Sequence, residues 1–226
     1  SLHKKILKEK NSKNLPGWRD TVPQLFAVST WVGYDLDGRS DISWLDSFRL
    51  RLSEKKTSLD LYIEKLSPFL KSHSKVGQII DELSAERRAT KADLVRFSKI
   101  EDNGFVEAAN RLSERKDKLT ASKVFAERLR KIASDTQNSE EAIELLAIAG
   151  DIASNGFGLG ELHLRINTVQ LANAMGVADG KGNFVSLTDA SSRTLLERLA
   201  EHISLESGSS INFQNLEQES ATARRQ

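Results

Sequence analysis

The sequence predicts a mainly α fold with two or three short β-strands, and three observations carry that reading. Between Ser43 and Ala153 the apolar residues recur mainly at three- and four-residue intervals, which places them along one face of a helix. Only three prolines, Pro16, Pro23 and Pro68, interrupt the chain. Two stretches break the helical rhythm: Leu25 to Val32 is β-branched and aromatic, and Glu161 to Ile166 alternates polar with apolar residues.

Taken in order, the first strand ends at Gly33 and the turn Asp35-Leu36-Asp37-Gly38. Ser43 with Asp46 then marks a helix start, a hydroxyl to accept from a free amide and an acid near the positive end. Trp44, Leu45, Phe48, Leu52, Leu59, Ile63 and Leu66 supply its buried stripe, and Pro68 stops it. A second helical run carries Val76, Ile79, Ile80, Leu83, Leu94, Val95 and Phe97; a third carries Phe105, Ala108, Ala109 and Leu112. Asp102-Asn103-Gly104 separates them. Thr120 is the expected cap of a helix through Val124, Phe125, Leu129 and Ile132, and Ser139 with Glu140 and Glu141 opens one that buries Ile143, Leu146, Ala149 and Ile152. The glycine-rich Asn155-Gly156-Phe157-Gly158-Leu159-Gly160 leads into the second strand. Helices are expected through Val169 to Met175, capped by Gly176, and through Leu195 to Ile203, closed by Gly208.

Two short strands need partners for their backbone polar groups, in each other or elsewhere. A strand, a long helical excursion, a second strand and then a helix is what a slice through a strand-helix barrel with inserted helices contains. The chain accordingly divides into 1–42, 43–153 and 154–226 within one fragment of a larger barrel. It opens on Ser1-Leu2 rather than Met and stops at TARRQ within a helical pattern, as an excised segment would.

Composition narrows the function classes. With 226 residues and 38% apolar content the chain can bury a core. The formal net charge of +1 supplies no global field toward nucleic acid or an anionic membrane. No apolar run approaches the roughly 20 residues of a membrane span, and the first ten residues lack a signal-peptide pattern, so a soluble, cytoplasmic protein is expected. The absence of cysteine excludes disulfides, thiolate zinc sites and thiol nucleophiles. His3, His73, His163 and His202 form no i, i+4 pair, which argues against a histidine-rich metal centre. Mixed charges from Glu86 to Arg96 and from Arg111 to Lys118 read as solvated helix faces, with a partner-docking hairpin over about residues 75 to 135 as the alternative.

In strand-helix barrels chemistry gathers after the carboxyl ends of strands. After the first strand, Asp35 and Asp37 stand two residues apart in a turn bounded by Gly33 and Gly38, able to orient an arginine, bind a cation or form an Asx turn. The glutamate of a helix-loop-helix calcium site is missing. On the second strand, His163 and Arg165 share one face while Leu162, Leu164 and Ile166 occupy the other. A strand-end guanidinium suits bidentate binding of phosphate or carboxylate, or pairing with Asp35 or Asp37. His163 reads as a packed, hydrogen-bonded histidine or as a base.

The segment VSTWVGYDLDGRSDISWLDSFRLRLSEKKTSLDLYIEKL resembles the tryptophan-glycine-glycine-Asp-Arg-Asp-Gly-Asn region of phosphoenolpyruvate carboxylases with its following helix. GELHLRINTVQLANAM resembles that family's Leu-Asp-Ile-Arg-Gln-Glu-Ser segment, in the same order and after a helical spacer of similar scale. The closing NLEQESATARRQ is similar to divergent bacterial members. The resemblance implies a middle part of a large α/β barrel enzyme, a homo-oligomer that joins bicarbonate to phosphoenolpyruvate with Mg²⁺ or Mn²⁺, giving oxaloacetate and phosphate. It implies a phosphate-holding role for Arg165 and a place at the same pocket for Asp35 and Asp37. Leu36 stands where the family has arginine, and Arg39 is the residue able to substitute; Tyr34 replaces a glycine and His163 an aspartate. The family's catalytic histidine motif, metal-binding acids and later glycine-rich arginine loop have no match here, so no metal is expected on this chain and catalysis by it alone is not expected. A non-catalytic helical interaction module, and a dead relative that keeps anion binding, are the alternatives.

Overall fold

The structure, a computed structural model, describes residues 2–24, 28–34, 42, 44–100, 105–116, 118–119 and 121–162. It is mainly helical, with two short strands. Six α-helices occupy the described residues: α1 (Leu2–Ser12), α2 (Trp44–Leu66), α3 (Ser74–Ser98), α4 (Phe105–Glu114), α5 (Ser122–Asp135) and α6 (Ser139–Asn155). The strands are β1 (Ser29–Thr30) and β2 (Glu161–Leu162). None of these helices is long and apolar enough to cross a membrane.

The chain divides into two compact units: residues 1–30, 50–94 and 117–162, and residues 31–49, 95–116 and 163–226. In the first, α6 is the centre. Its Ala142, Ile143, Leu145, Leu146, Ala147, Ile148, Ala149 and Ile152 are all buried, so it is apolar on nearly every side. A helix buried all round can only be a core element. Leu129, Ile132 and Ala133 of α5 pack with it, as do Leu59 and Leu66 of α2, Val76, Ile79 and Leu83 of α3, and Leu7 of α1. Phe125 meets Phe157 edge-on, with centroids 5.3 Å apart.

Asn138 caps α6, its Oδ1 accepting from Glu140 N at 2.9 Å and Glu141 N at 3.4 Å, while both glutamates complement the helix's positive end. A short 3₁₀ turn, Trp18–Asp20, presents Arg19, which donates to Thr136 O and, at 3.0 Å, to Ser139 Oγ, fastening the α5–α6 connection. Gly150 lets the Pro23 backbone lie directly on α6, where a Cβ would overlap the Pro23 carbonyl oxygen. Pro68 ends α2 at Leu66 and opens a 3₁₀ turn over Ser67–Leu70.

α1 is an element the sequence did not announce. Its eleven polar-rich residues carry only His3 and Leu7 inward, too few for a periodic signal. Leu7 is fully buried, worth about 2–3 kcal/mol relative to exposure. Lys4 pairs with Glu144 and Lys8 with Glu140 at 2.9 Å, half-exposed bridges that add little.

In the second unit, Phe48 stacks on Phe97 with centroids 5.7 Å apart, and Arg49 Nε donates to Phe97 O at 2.8 Å. Ser47 Oγ donates to Gly33 O at 3.0 Å.

Several local expectations need correction. Among the described residues of the stretch expected as the first strand, Leu25 to Val32, β1 covers Ser29–Thr30 and Val28, Trp31 and Val32 lie outside it; residues 25–27 lie outside the described residues. α5 takes Ala121 as its N-cap, without a side-chain bond, rather than Thr120, and α6 is capped by Asn138 rather than Ser139. Val95 and Val124, apolar members of the predicted helical runs, are exposed. Glu86 and Asp93 were expected on a solvated face yet are 3% and 6% exposed.

Candidate functional site

β1 and β2 pair in parallel, Ser29 opposite Glu161 and Thr30 opposite Leu162. Parallel strands point the same way, so the backbone leaves Thr30 and Leu162 at one end of the pair. In sequence, Thr30 lies five residues before Asp35 and Leu162 directly before His163. The opposite end is built with care. Glu161 N donates to Val28 O at 2.8 Å, and Val28 N donates to Asn155 Oδ1 at 3.4 Å. Gly160 adopts φ +119°, and a Cβ there would overlap Val28 O, so only glycine lets the two backbones approach this closely.

The approach to β2, residues 155–160, is governed by α2. Arg51 Nη1 donates to Gly158 O and Nη2 donates to Gly160 O at 3.1 Å; Glu54 Oε2 accepts from the same guanidinium at 3.3 Å. A Cβ on Gly158 would fall on the guanidinium itself. About three turns along the same helix face, Tyr62 Oη donates to Gly156 O at 3.0 Å. Burial pushes the Tyr62 phenol up to about 12; the nearby Ser58 hydroxyl opposes the shift and the Asp151 charge adds to it.

Beside the loop lies a cleft of about 480 Å³ with Arg51, Lys55, Ser122, Asn155 and Glu161 in its wall. Lys55 Nζ reaches the buried Glu86 Oε1 at 2.6 Å, while Leu119 N donates to Glu86 Oε2 at 3.3 Å. The buried carboxylate is therefore neutralised and hydrogen-bonded, the condition under which such a group is tolerated inside. A second cleft, about 490 Å³, opens between Lys4, Lys65, Phe69, Ile148 and Asp151. There Asp151 bridges His3 Nδ1 at 2.9 Å and Lys65 Nζ at 3.0 Å. Each lysine at that mouth faces a carboxylate, so the cleft carries no unbalanced charge.

Asp35, Asp37, Arg39, His163 and Arg165, the residues expected to form the anion site, lie outside the described residues. The described neighbours show what leads into them: Tyr34, where the family resemblance places glycine, is buried at 1% exposure, and its N–H donates to Trp31 O at 3.0 Å. Among the described residues no group of three or more histidine, aspartate or glutamate side chains converges as a metal would need.

The described residues thus define a mainly helical protein with one parallel pair of two-residue strands. Comparison with protein-family profiles, with curated proteins and with solved structures gave no match to this chain.

Sequence reasoning missed Arg51, Tyr62, Lys55 and Glu86. Arg51 and Lys55 stand at i, i+4 beside a long apolar stripe, a pattern any solvated helix face shares. Glu54 apart, the partners that place them, Glu86 for Lys55 and the Gly158 and Gly160 carbonyls for Arg51, come from 31 residues or more further along the chain.

Proposed function

We propose that this chain is part of a phosphoenolpyruvate carboxylase-like enzyme, in which phosphoenolpyruvate and bicarbonate give oxaloacetate and phosphate, and that it contributes the phosphate-holding residues of the site. The observation that supports the reading is the parallel pairing of β1 with β2, because it brings Thr30 and Leu162, which precede the two motifs in sequence, to one strand end. Arg165 is the anchor: a guanidinium stays charged at all working pH and offers a planar fork to two phosphate oxygens. Asp35 and Asp37 orient that fork, Arg39 supplies the cation that Leu36 lacks, and His163 shares the Arg165 face of the strand. Fixed positive charge at this point stabilises the oxygens on which negative charge accumulates as the phosphoryl group moves. The catalytic histidine and the metal-binding acids are supplied by other parts of a homo-oligomeric, cytoplasmic parent, where Mg²⁺ or Mn²⁺ would stabilise the enolate.

The competing reading is a charged hairpin that docks a partner, and part of the hairpin's charge is already paired within the fold. Arg87 pairs with Asp60 at 3.2 Å, Arg128 holds Glu82 through two bonds of 2.8 Å, and Lys55 is spent on Glu86.

Calorimetric titration with inorganic phosphate and with phosphoenolpyruvate tests the proposal. The chain should bind both, and Arg165→Ala should weaken each by roughly tenfold or more, the scale of a charge-assisted pair. Equal binding by the two forms removes Arg165 as anchor, and oxaloacetate formation by these 226 residues alone refutes the claim that the site is incomplete.

A further inference from the structure

We infer that Arg51 is a positioning residue: its guanidinium sets the start of β2 against β1 and so fixes where the segment carrying Arg165 begins. The inference rests on the reading of Arg165 as the phosphate anchor, but its geometry stands on described residues alone.

The loop of residues 155–160 is poorly determined by its own sequence. Three of its six residues are glycine, and Gly156, Leu159 and Gly160 all take positive φ, at +62°, +60° and +119°. Such a chain has many alternatives of similar energy, and something outside it must select one. Inside the loop a single backbone bond, Gly160 N to Asn155 O at 3.0 Å, is formed. Phe157, buried against Phe125 of α5, anchors the middle of the loop, and α2 fixes the carbonyls on either side of it. Arg51 takes the carbonyls of Gly158 and Gly160 together, and Tyr62 takes that of Gly156.

The planar fork matters because two carbonyls two residues apart are held at once. A lysine ammonium on a flexible stem would not hold both in one geometry. Glu54 compensates the guanidinium charge, so the group is locked in place rather than offered to a ligand. Gly158 completes the arrangement, since any Cβ there would displace the guanidinium. Sequence-distant α2, which follows the acidic turn, thereby dictates the register of the strand that precedes Arg165.

The test uses the whole 226-residue chain. Amide exchange is followed at Glu161, whose N–H is bonded to Val28 O, with Leu146 in the centre of α6 as internal reference. Arg51→Ala should speed Glu161 exchange by roughly tenfold or more, the loss expected for charge-assisted bonds, with Leu146 unchanged. Arg51→Lys should behave like Arg51→Ala, and Gly158→Ala should reproduce the effect in wild type but add nearly nothing in the Arg51→Ala background. Phosphate titration of the same variants should show weaker binding with little change in thermal midpoint. Unchanged Glu161 exchange in Arg51→Ala, full rescue by lysine, or additive behaviour of the double variant overturns the inference. A wild-type chain that fails to bind phosphate while Glu161 still responds overturns the anchor role of Arg165 and leaves the Arg51 clamp standing.

Discussion

Replacing Gly160 by alanine probes the one place where backbone chemistry, rather than side-chain choice, decides whether the strands can meet. At φ +119° an L-residue is held in a sparsely populated region, which costs about 1–3 kcal/mol. The new methyl would also overlap Val28 O, the acceptor of the 2.8 Å bond from Glu161 N. Relieving the overlap lengthens or breaks that bond, adding about 1 kcal/mol. The expected loss is therefore about 2–4 kcal/mol by urea denaturation. Gly77→Ala serves as control: it lies in α3, and its Cβ would meet Leu70 Cδ2 at an ordinary 3.7 Å. That variant should gain about 0.5–1 kcal/mol from helix propensity. If Gly160→Ala unfolds within 0.5 kcal/mol of wild type, as judged against the roughly 10–15% error of the extrapolation, the account of the strand pair is wrong.

Two further outcomes follow from the same geometry. The Tyr62 phenol, at about 12 in the folded chain against 10.0 unperturbed, keeps its proton where the unfolded chain loses it, so its contribution is complete below pH 10 and disappears as pH climbs through 12. Denaturation curves should show roughly 2–3 kcal/mol more loss over that interval in wild type than in Tyr62→Phe, since the lysines titrate alike in both; parallel curves would refute the shift. Asn138→Ala should cost about 1 kcal/mol by removing the acceptor of two first-turn amides of α6, and Asn138→Asp should retain stability, both read from thermal melts.

Helix existence was legible wherever apolar spacing ran long enough, as in α2, α3, α5 and α6, because a single exposed-to-buried gradient across the helix writes itself into every third or fourth residue. Boundaries shifted by a residue where two capping residues compete, as Asn138 and Ser139 do ahead of α6. α1 was illegible because two inward residues, His3 and Leu7, make no period. The strand pair was read at the right places; among the described residues of the first stretch the strand is shorter than expected, since Val28 and Val32 serve as exposed connection, while residues 25–27 and 163–166 lie outside the described residues. Of the candidate site, the sequence pointed to Asp35, Asp37, Arg39, His163 and Arg165, which lie outside the described residues.

By itself, then, the sequence determined the helical class, the order of strand, helical excursion and strand, and the glycine-rich approach to β2, because these depend on local periodicity and on backbone freedom within a few residues. Only the tertiary structure decided that β1 and β2 pair in parallel, that Glu86 is a buried partner of Lys55 rather than a solvated charge, and that Arg51 holds the carbonyls of Gly158 and Gly160. Each of those contacts joins residues far apart along the chain, and the free energy that selects such a partner comes from burial and hydrogen bonding, neither of which has a value until the chain has folded.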